Sequence, residues 1–152
     1  MAEHTETTTT LNTLISTLID SVEGYQKSAG EVENQRYAQM FNARAQERQQ
    51  AITHLQAAVA AEGGNPEDDG STAGTVHRFF ESLREAVSTR DDKAIVSEIE
   101  RGEDYLKAKF EKAMQHTDLT PQASQAIQTA WQSVKAGHDE MRDLKHSLEA
   151  SS

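Results

Sequence analysis

Apolar residues recur at three- and four-residue intervals along most of the chain, as they do on a buried helix face. Leu11, Leu14, Ile15, Leu18, Ile19, Val22, Tyr25 and Ala29 mark a first helix, capped by Thr9 or Thr10 and ended or weakened at Gly30. The polar stretch ahead of it, residues 1–8, is expected to be a disordered tail. A second helix is expected from about Glu33 to Glu62, with Tyr37, Phe41, Ile52, Leu55 and Val59 on one face. Gly63-Gly64-Asn65-Pro66 stops it, because glycine can make the C-terminal turn and proline cannot continue a helix. A third stretch starts at Ser71 or Thr72 and carries Val76, Phe79, Phe80, Leu83 and Val87. Its apolar phase shifts between Ser88 and Asp92, after which Ile95, Ile99, Leu106 and Phe110 take over. That shift predicts a broken or kinked third helix. Thr120-Pro121 is an N-cap followed by proline at the first helical position, and it opens a fourth helix with Ile127, Ala130, Trp131, Val134, Met141, Leu144 and Leu148. No stretch alternates with period two. Four long helices with short connections predict an all-α, antiparallel four-helix bundle over residues 9–149.

On helical wheels of these segments, a few polar residues fall inside the apolar stripes. Arg48 lies in the middle of the second helix's stripe, with Arg44 close by. Glu103 sits beside Ile99, Leu106 and Phe110, His138 sits between Val134 and Met141, and Glu23 flanks the first stripe. Asp20, Glu100 and Asp104 are placed pointing away. A guanidinium keeps its charge inside a protein, and an unpaired buried charge is costly. An interior Arg48 therefore needs a carboxylate, which leads us to expect an interior cluster of Arg48, Glu103, His138 and Glu23. The plainer alternative is that Arg48 buries its stem and carries its head to water, with His138 a boundary histidine. Tyr25 and Tyr105 read as packing residues at the core edge, and His54 as solvated. Glu67, Asp68 and Asp69 read as a solvated loop that lacks EF-hand spacing.

The 152 residues suit one domain. A net charge of −10 repels phosphate backbones, and Lys and Arg are scattered among acids, so nucleic acid is not an expected partner. The absence of cysteine excludes disulfides, thiolate metal sites and iron–sulfur clusters. The first ten residues lack the pattern of a signal peptide, and no apolar run reaches the ~20 residues of a membrane span. A cytoplasmic protein that does not engage membranes is expected.

Two segments nearly repeat each other: Ile19-Asp20-x-x-Glu23-x-Tyr25-x-Lys27 and Ile99-Glu100-x-x-Glu103-x-Tyr105-x-Lys107. A helix pair used twice is how many metal-carrying bundles are built. The run Asp20-Ser-Val-Glu23-Gly24-Tyr25, the segment Ala45-Gln-Glu47-Arg48, the Gly63-Gly64…Gly70-Ser71 loop, His77-Arg78-Phe79 and Arg101-Gly102-Glu103-Asp104 add a family likeness. From about Leu11 to Leu148 the chain resembles a family of small bacterial ferritin-like proteins of unknown function, first described from pseudomonads. The resemblance implies a ferritin-like bundle. In the wider superfamily, a Glu on the first and third helices and Glu-x-x-His on the second and fourth hold two metal ions.

Here Glu23 and Glu103 match the first- and third-helix acids. However, Ala51-x-x-His54 and Lys135-x-x-His138 lack the carboxylates, Glu47 has Gln50 in place of His, and Asp143-x-x-His146 lies near the C-terminal end. The di-metal site is therefore expected to be degenerate and replaced by the Arg/Glu/His cluster, with no cofactor. The alternative is iron or manganese on Glu23, Glu103 and His138, in an oxidase or storage protein. The favoured reading is a non-catalytic protein, dimeric, associated with stress conditions or with an unidentified protein partner.

Overall fold

The computed structural model describes residues 2–70, 81, 84–85, 91–116 and 119–151. Four long helices account for most of them: α1 (Ala2–Glu31), α2 (Gln35–Ala61), α3 (Asp92–Met114) and α4 (Pro121–Ser151). There is no strand among the described residues. No helix among them is long and apolar enough to cross a membrane.

Side-chain caps open two helices that the sequence left uncapped, whereas Thr9 and Thr10, expected as the first cap, lie inside α1. The Asn34 side chain accepts from Arg36 N and Asp91 accepts from Lys93 N, each closing an open N-terminal turn. Thr120 Oγ1 accepts from Ala123 N at 3.2 Å ahead of Pro121. Gly63 takes the left-handed conformation that terminates α2, with φ 82°. The expected tail over residues 1–8 is a correction: α1 is already helical from Ala2, and Thr7 is buried. Thr8 of this stretch lies against Gly64, in the chain that leaves α2. The first part of the expected third helix, with Val76, Phe79, Phe80, Leu83 and Val87, and most of the expected break after it lie outside the described residues. Within them, α3 starts at Asp92, behind its own cap.

Each helix packs antiparallel to two neighbours in a closed ring of α1, α2, α4 and α3. The directions follow from which ends meet. The Asp92 carboxylate at the start of α3 accepts Glu33 N and Asn34 N from the α1–α2 turn, at 2.9 and 3.0 Å. At the opposite end, the Thr120 hydroxyl before α4 donates to Glu62 Oε1 at 2.5 Å. α2 and α3 therefore run in the same direction, so the end of α2 and the start of α3 lie at opposite ends of the bundle. The first part of the crossover is stitched along α1. Asn12 Nδ2 donates to Asn65 O, Glu67 N donates to Asn12 Oδ1, and Ser16 Oγ donates to Asp69 O.

The core between the helices is built from Leu11, Leu14, Leu18, Phe41, Leu55 and Phe110, all essentially without exposure. Each such side chain contributes about 1.5–3 kcal/mol through burial. Tyr25 tilts against Phe41 with ring centroids 5.7 Å apart, and Phe110 against Trp131 at 6.5 Å. The core carries one large polar interruption, midway along the bundle.

Candidate functional site

Arg48 on α2 is fully buried and Glu103 on α3 is 2% exposed. Their side chains meet as two forks. Arg48 Nη1 donates to Glu103 Oε1 at 2.5 Å and Nη2 donates to Oε2 at 2.7 Å. This bidentate geometry is the strongest form of a carboxylate–guanidinium contact. α2 and α3 are diagonal partners in the ring, so the pair spans the centre of the bundle.

The other two helices complete it. From α1, Ser21 Oγ accepts from Arg48 Nη1 at 2.7 Å, and the Tyr25 hydroxyl donates to Glu103 Oε1 at 2.9 Å. The Tyr25 ring also faces the guanidinium, 5.6 Å from its centre. From α4, the Ser133 carbonyl accepts from Arg48 Nη2 at 3.3 Å. Gly137, also on α4, has no side chain where the pair presses closest. A Cβ there would lie 2.2 Å from Arg48 Nη2 and 3.0 Å from Glu103 Oε2. Arg48 Nε is buried with no hydrogen-bond partner among the described residues.

Burial by itself would loosen the proton on Arg48, but the Glu103 charge and hydrogen bonds outweigh it and hold the guanidinium more strongly basic than usual. Burial, then the neighbouring Glu103 charge, pushes the Tyr25 hydroxyl well above its ordinary pKa, so it remains a donor. Beside the pair, Arg44 bridges Glu47 at 2.7 Å and Glu140 at 3.1 Å. Glu47 also accepts the Ser133 hydroxyl. Burial opposes the Arg44 charge, yet the Glu140 hydrogen bond and the Glu47 charge raise its pKa.

The residues expected in one cluster therefore separate. Arg48 and Glu103 meet, whereas Glu23 is exposed and takes no part, which corrects the expected cluster. The α1 residues that face the pair are Ser21 and Tyr25, two positions to either side of Glu23. His138 is 8% exposed but turns away from the pair. Its Nε2 lies 2.7 Å from Asp104 Oδ1 and its Nδ1 3.2 Å from Asp139 Oδ1.

Glu23, Glu103 and His138 consequently do not converge as metal ligands. Among the described residues, the groups whose ligand atoms do lie within 4.8 Å of one another are Glu100, Asp104 and His138, and Glu67, Asp68 and Asp69. His54 and His146 are exposed. Asp20 was expected to point outward. It is 7% exposed, lying under Gly70 of the crossover.

Sequence reasoning also missed Ser21, the Tyr25 hydroxyl and Gly137. Only Gly137 left a signal, as a glycine in mid-helix where almost any other residue is a better helix former.

The near-repeat does not fold into equivalent halves. Glu103 is interior where Glu23 is exposed, and Tyr25 is buried where Tyr105 is half-buried with Lys109 over its ring. The two copies still meet, through Tyr25 of one and Glu103 of the other. Chemically, the centre is a bidentate ion pair with one unpartnered donor, Arg48 Nε, and among the described residues no nucleophile in it is paired with a free base.

Residues 6–116 match the model of a family described as a domain of unknown function, DUF2383. The match contains Ser21, Tyr25, Arg48 and Glu103; it stops short of α4. No curated protein matches the chain.

Proposed function

Since the chain belongs to the DUF2383 family, whose description assigns no activity, we propose that it is a ferritin-like bundle in which an internal ion pair replaces the di-metal centre, and that it acts by association rather than by catalysis. The ferritin-like reading is supported by the antiparallel ring with one long crossover, between α2 and α3. The observation that carries the functional reading is the bidentate Arg48–Glu103 pair at the bundle centre. A di-metal site needs several anionic ligands around two cations. Here the interior acid is already neutralised by a permanent cation, and the other acid the resemblance pointed to, Glu23, is exposed. An acidic, cysteine-free chain fits a cytoplasmic location, which belongs to the same proposal, as does a role under stress conditions.

Ferrous iron added anaerobically, followed by air, tests the interior. We expect oxidation no faster than in buffer and no pair of irons bound per chain. Two irons per chain, retained in Asp104→Asn and oxidised rapidly, would return the protein to the metal-binding oxidase or storage class. Association is proposed first as a two-fold dimer, on the general habit of small bundles. Sedimentation equilibrium should then give twice the chain mass of 16.8 kDa. The chain mass itself, across micromolar concentrations, would reject self-association and leave a different protein as the partner.

A further inference from the structure

We propose that Glu100, Asp104 and His138 form a mononuclear site for a divalent transition-metal ion on the seam between α3 and α4. It is separate from the ion pair, and nothing in it depends on the functional reading above.

Glu100 and Asp104 stand one helical turn apart on α3, so both carboxylates face the same side. His138 of α4 comes up against them, and the three ligand atoms lie within 4.8 Å of one another. Both nitrogens of His138 face carboxylate oxygens, Asp139 Oδ1 at Nδ1 and Asp104 Oδ1 at Nε2. Ionised carboxylates only accept, and a neutral imidazole carries a single N–H. If Nδ1–H donates to Asp139, the Nε2 lone pair and Asp104 Oδ1 confront each other at 2.7 Å. A cation bound by both would relieve that contact; with the opposite tautomer Nε2–H donates to Asp104, and a metal ion would take the place of that hydrogen.

The arrangement matches a metal ligand with its outer partner. A carboxylate that takes the remote N–H of a ligating histidine fixes the tautomer and aims the free nitrogen at the metal. Asp139 serves as that carboxylate, its Oδ1 lying 3.2 Å from His138 Nδ1. Adjacent tetrahedral ligands on one ion are about 3.4 Å apart when each bond is ~2.1 Å, so an ion would replace the 2.7 Å Nε2–Oδ1 contact by opening it about 0.7 Å.

A bound cation would share these acids with nearby bases, Lys135 among them. Glu100, Asp104 and Asp139 are met by Lys145, 3.4 Å from Glu100, and by Arg142, 3.4 Å from Asp139. An imidazole with two carboxylates suits zinc, manganese or ferrous iron and leaves positions for water. A bound ion would take Glu100 from Lys145.

Zinc titration by calorimetry on tag-free protein is the test, with cobalt absorption as a second reading of the coordination. We expect one zinc per chain. Asp104→Asn and His138→Gln should each weaken it at least tenfold, and Lys145→Gln should tighten it. Asp104 is exposed, so its variant keeps the fold even if the His138 variant does not. No zinc bound by the parent protein would overturn the proposal. So would zinc bound equally by Asp104→Asn, because the ion would then sit on other surface histidines. The two proposals fail separately: two irons that survive Asp104→Asn would refute the interior reading alone, and absent zinc would refute the seam alone.

Discussion

Glu103→Gln should be the most damaging single substitution in the bundle, costing about 3–5 kcal/mol, the usual penalty for breaking a buried ion pair. Arg48 is fully buried and would be left without its counter-charge. A guanidinium cannot escape by giving up its proton. The amide keeps one acceptor oxygen but has no charge, and its NH2 group confronts a donor. At roughly 2–4 °C per kcal/mol for a chain of this size, Tm should fall by about 6–20 °C. Arg48→Met should cost less, because the carboxyl group it strands can take up a proton and retain the Tyr25 hydrogen bond. Thermal melting followed by circular dichroism reads both. A Glu103→Gln variant that melts with the parent protein would mean that the pair holds nothing together.

The second large effect reverses an ordinary rule. Alanine in place of a helical glycine normally gains up to about 1 kcal/mol. Gly137→Ala should instead destabilise by about 1–3 kcal/mol, as overpacking does. Its Cβ would stand 2.2 Å from Arg48 Nη2 and 3.2 Å from Arg44 Cδ. A free arginine head could move aside cheaply. This one is held by Glu103, Ser21 and the Ser133 carbonyl, so moving it breaks the bidentate geometry. Gly30→Ala is the internal control, because a Cβ at Gly30 on α1 meets nothing within 4 Å and should stabilise. Urea unfolding of both variants separates the cases, and equal gains at the two positions would show that Gly137 is not there to admit the pair.

The helices could be read from the sequence because spacing and caps are local properties. The Thr120-Pro121 start, the Gly63 stop and the apolar stripes all depend on neighbours within a few residues. Arg48 and Glu103 could be placed inside for the same reason, since each lies among apolar residues on its own wheel. What the wheel does not contain is the neighbour. Asp20 and Glu23 are less than a turn apart on α1, yet the crossover covers Asp20 and leaves Glu23 in water. Nothing within α1 encodes that difference. The lie of residues 65–69 along α1 and the direction of α3 were also hidden, because they are fixed by contacts between distant residues, Asn12 with Asn65 and Asp92 with the α1–α2 turn. His138 is 8% exposed, but the direction of its ring depends on which acids α3 presents. That side turned out to hold Asp104 and not Glu103.

The pair draws one or more residues from every helix of the ring, so it is placed to fix the register of all four at once. A well-packed apolar replacement can match a buried ion pair in stability while a broken pair cannot. Arg48→Met with Glu103→Leu should therefore recover much of what Glu103→Leu alone loses. The double-mutant cycle on these two positions, read by urea unfolding, is the decisive measurement. A coupling of at least about 2 kcal/mol is expected for contacting buried charges. Losses that simply add, to within about 0.5 kcal/mol, would contradict an ion pair at the centre of this bundle.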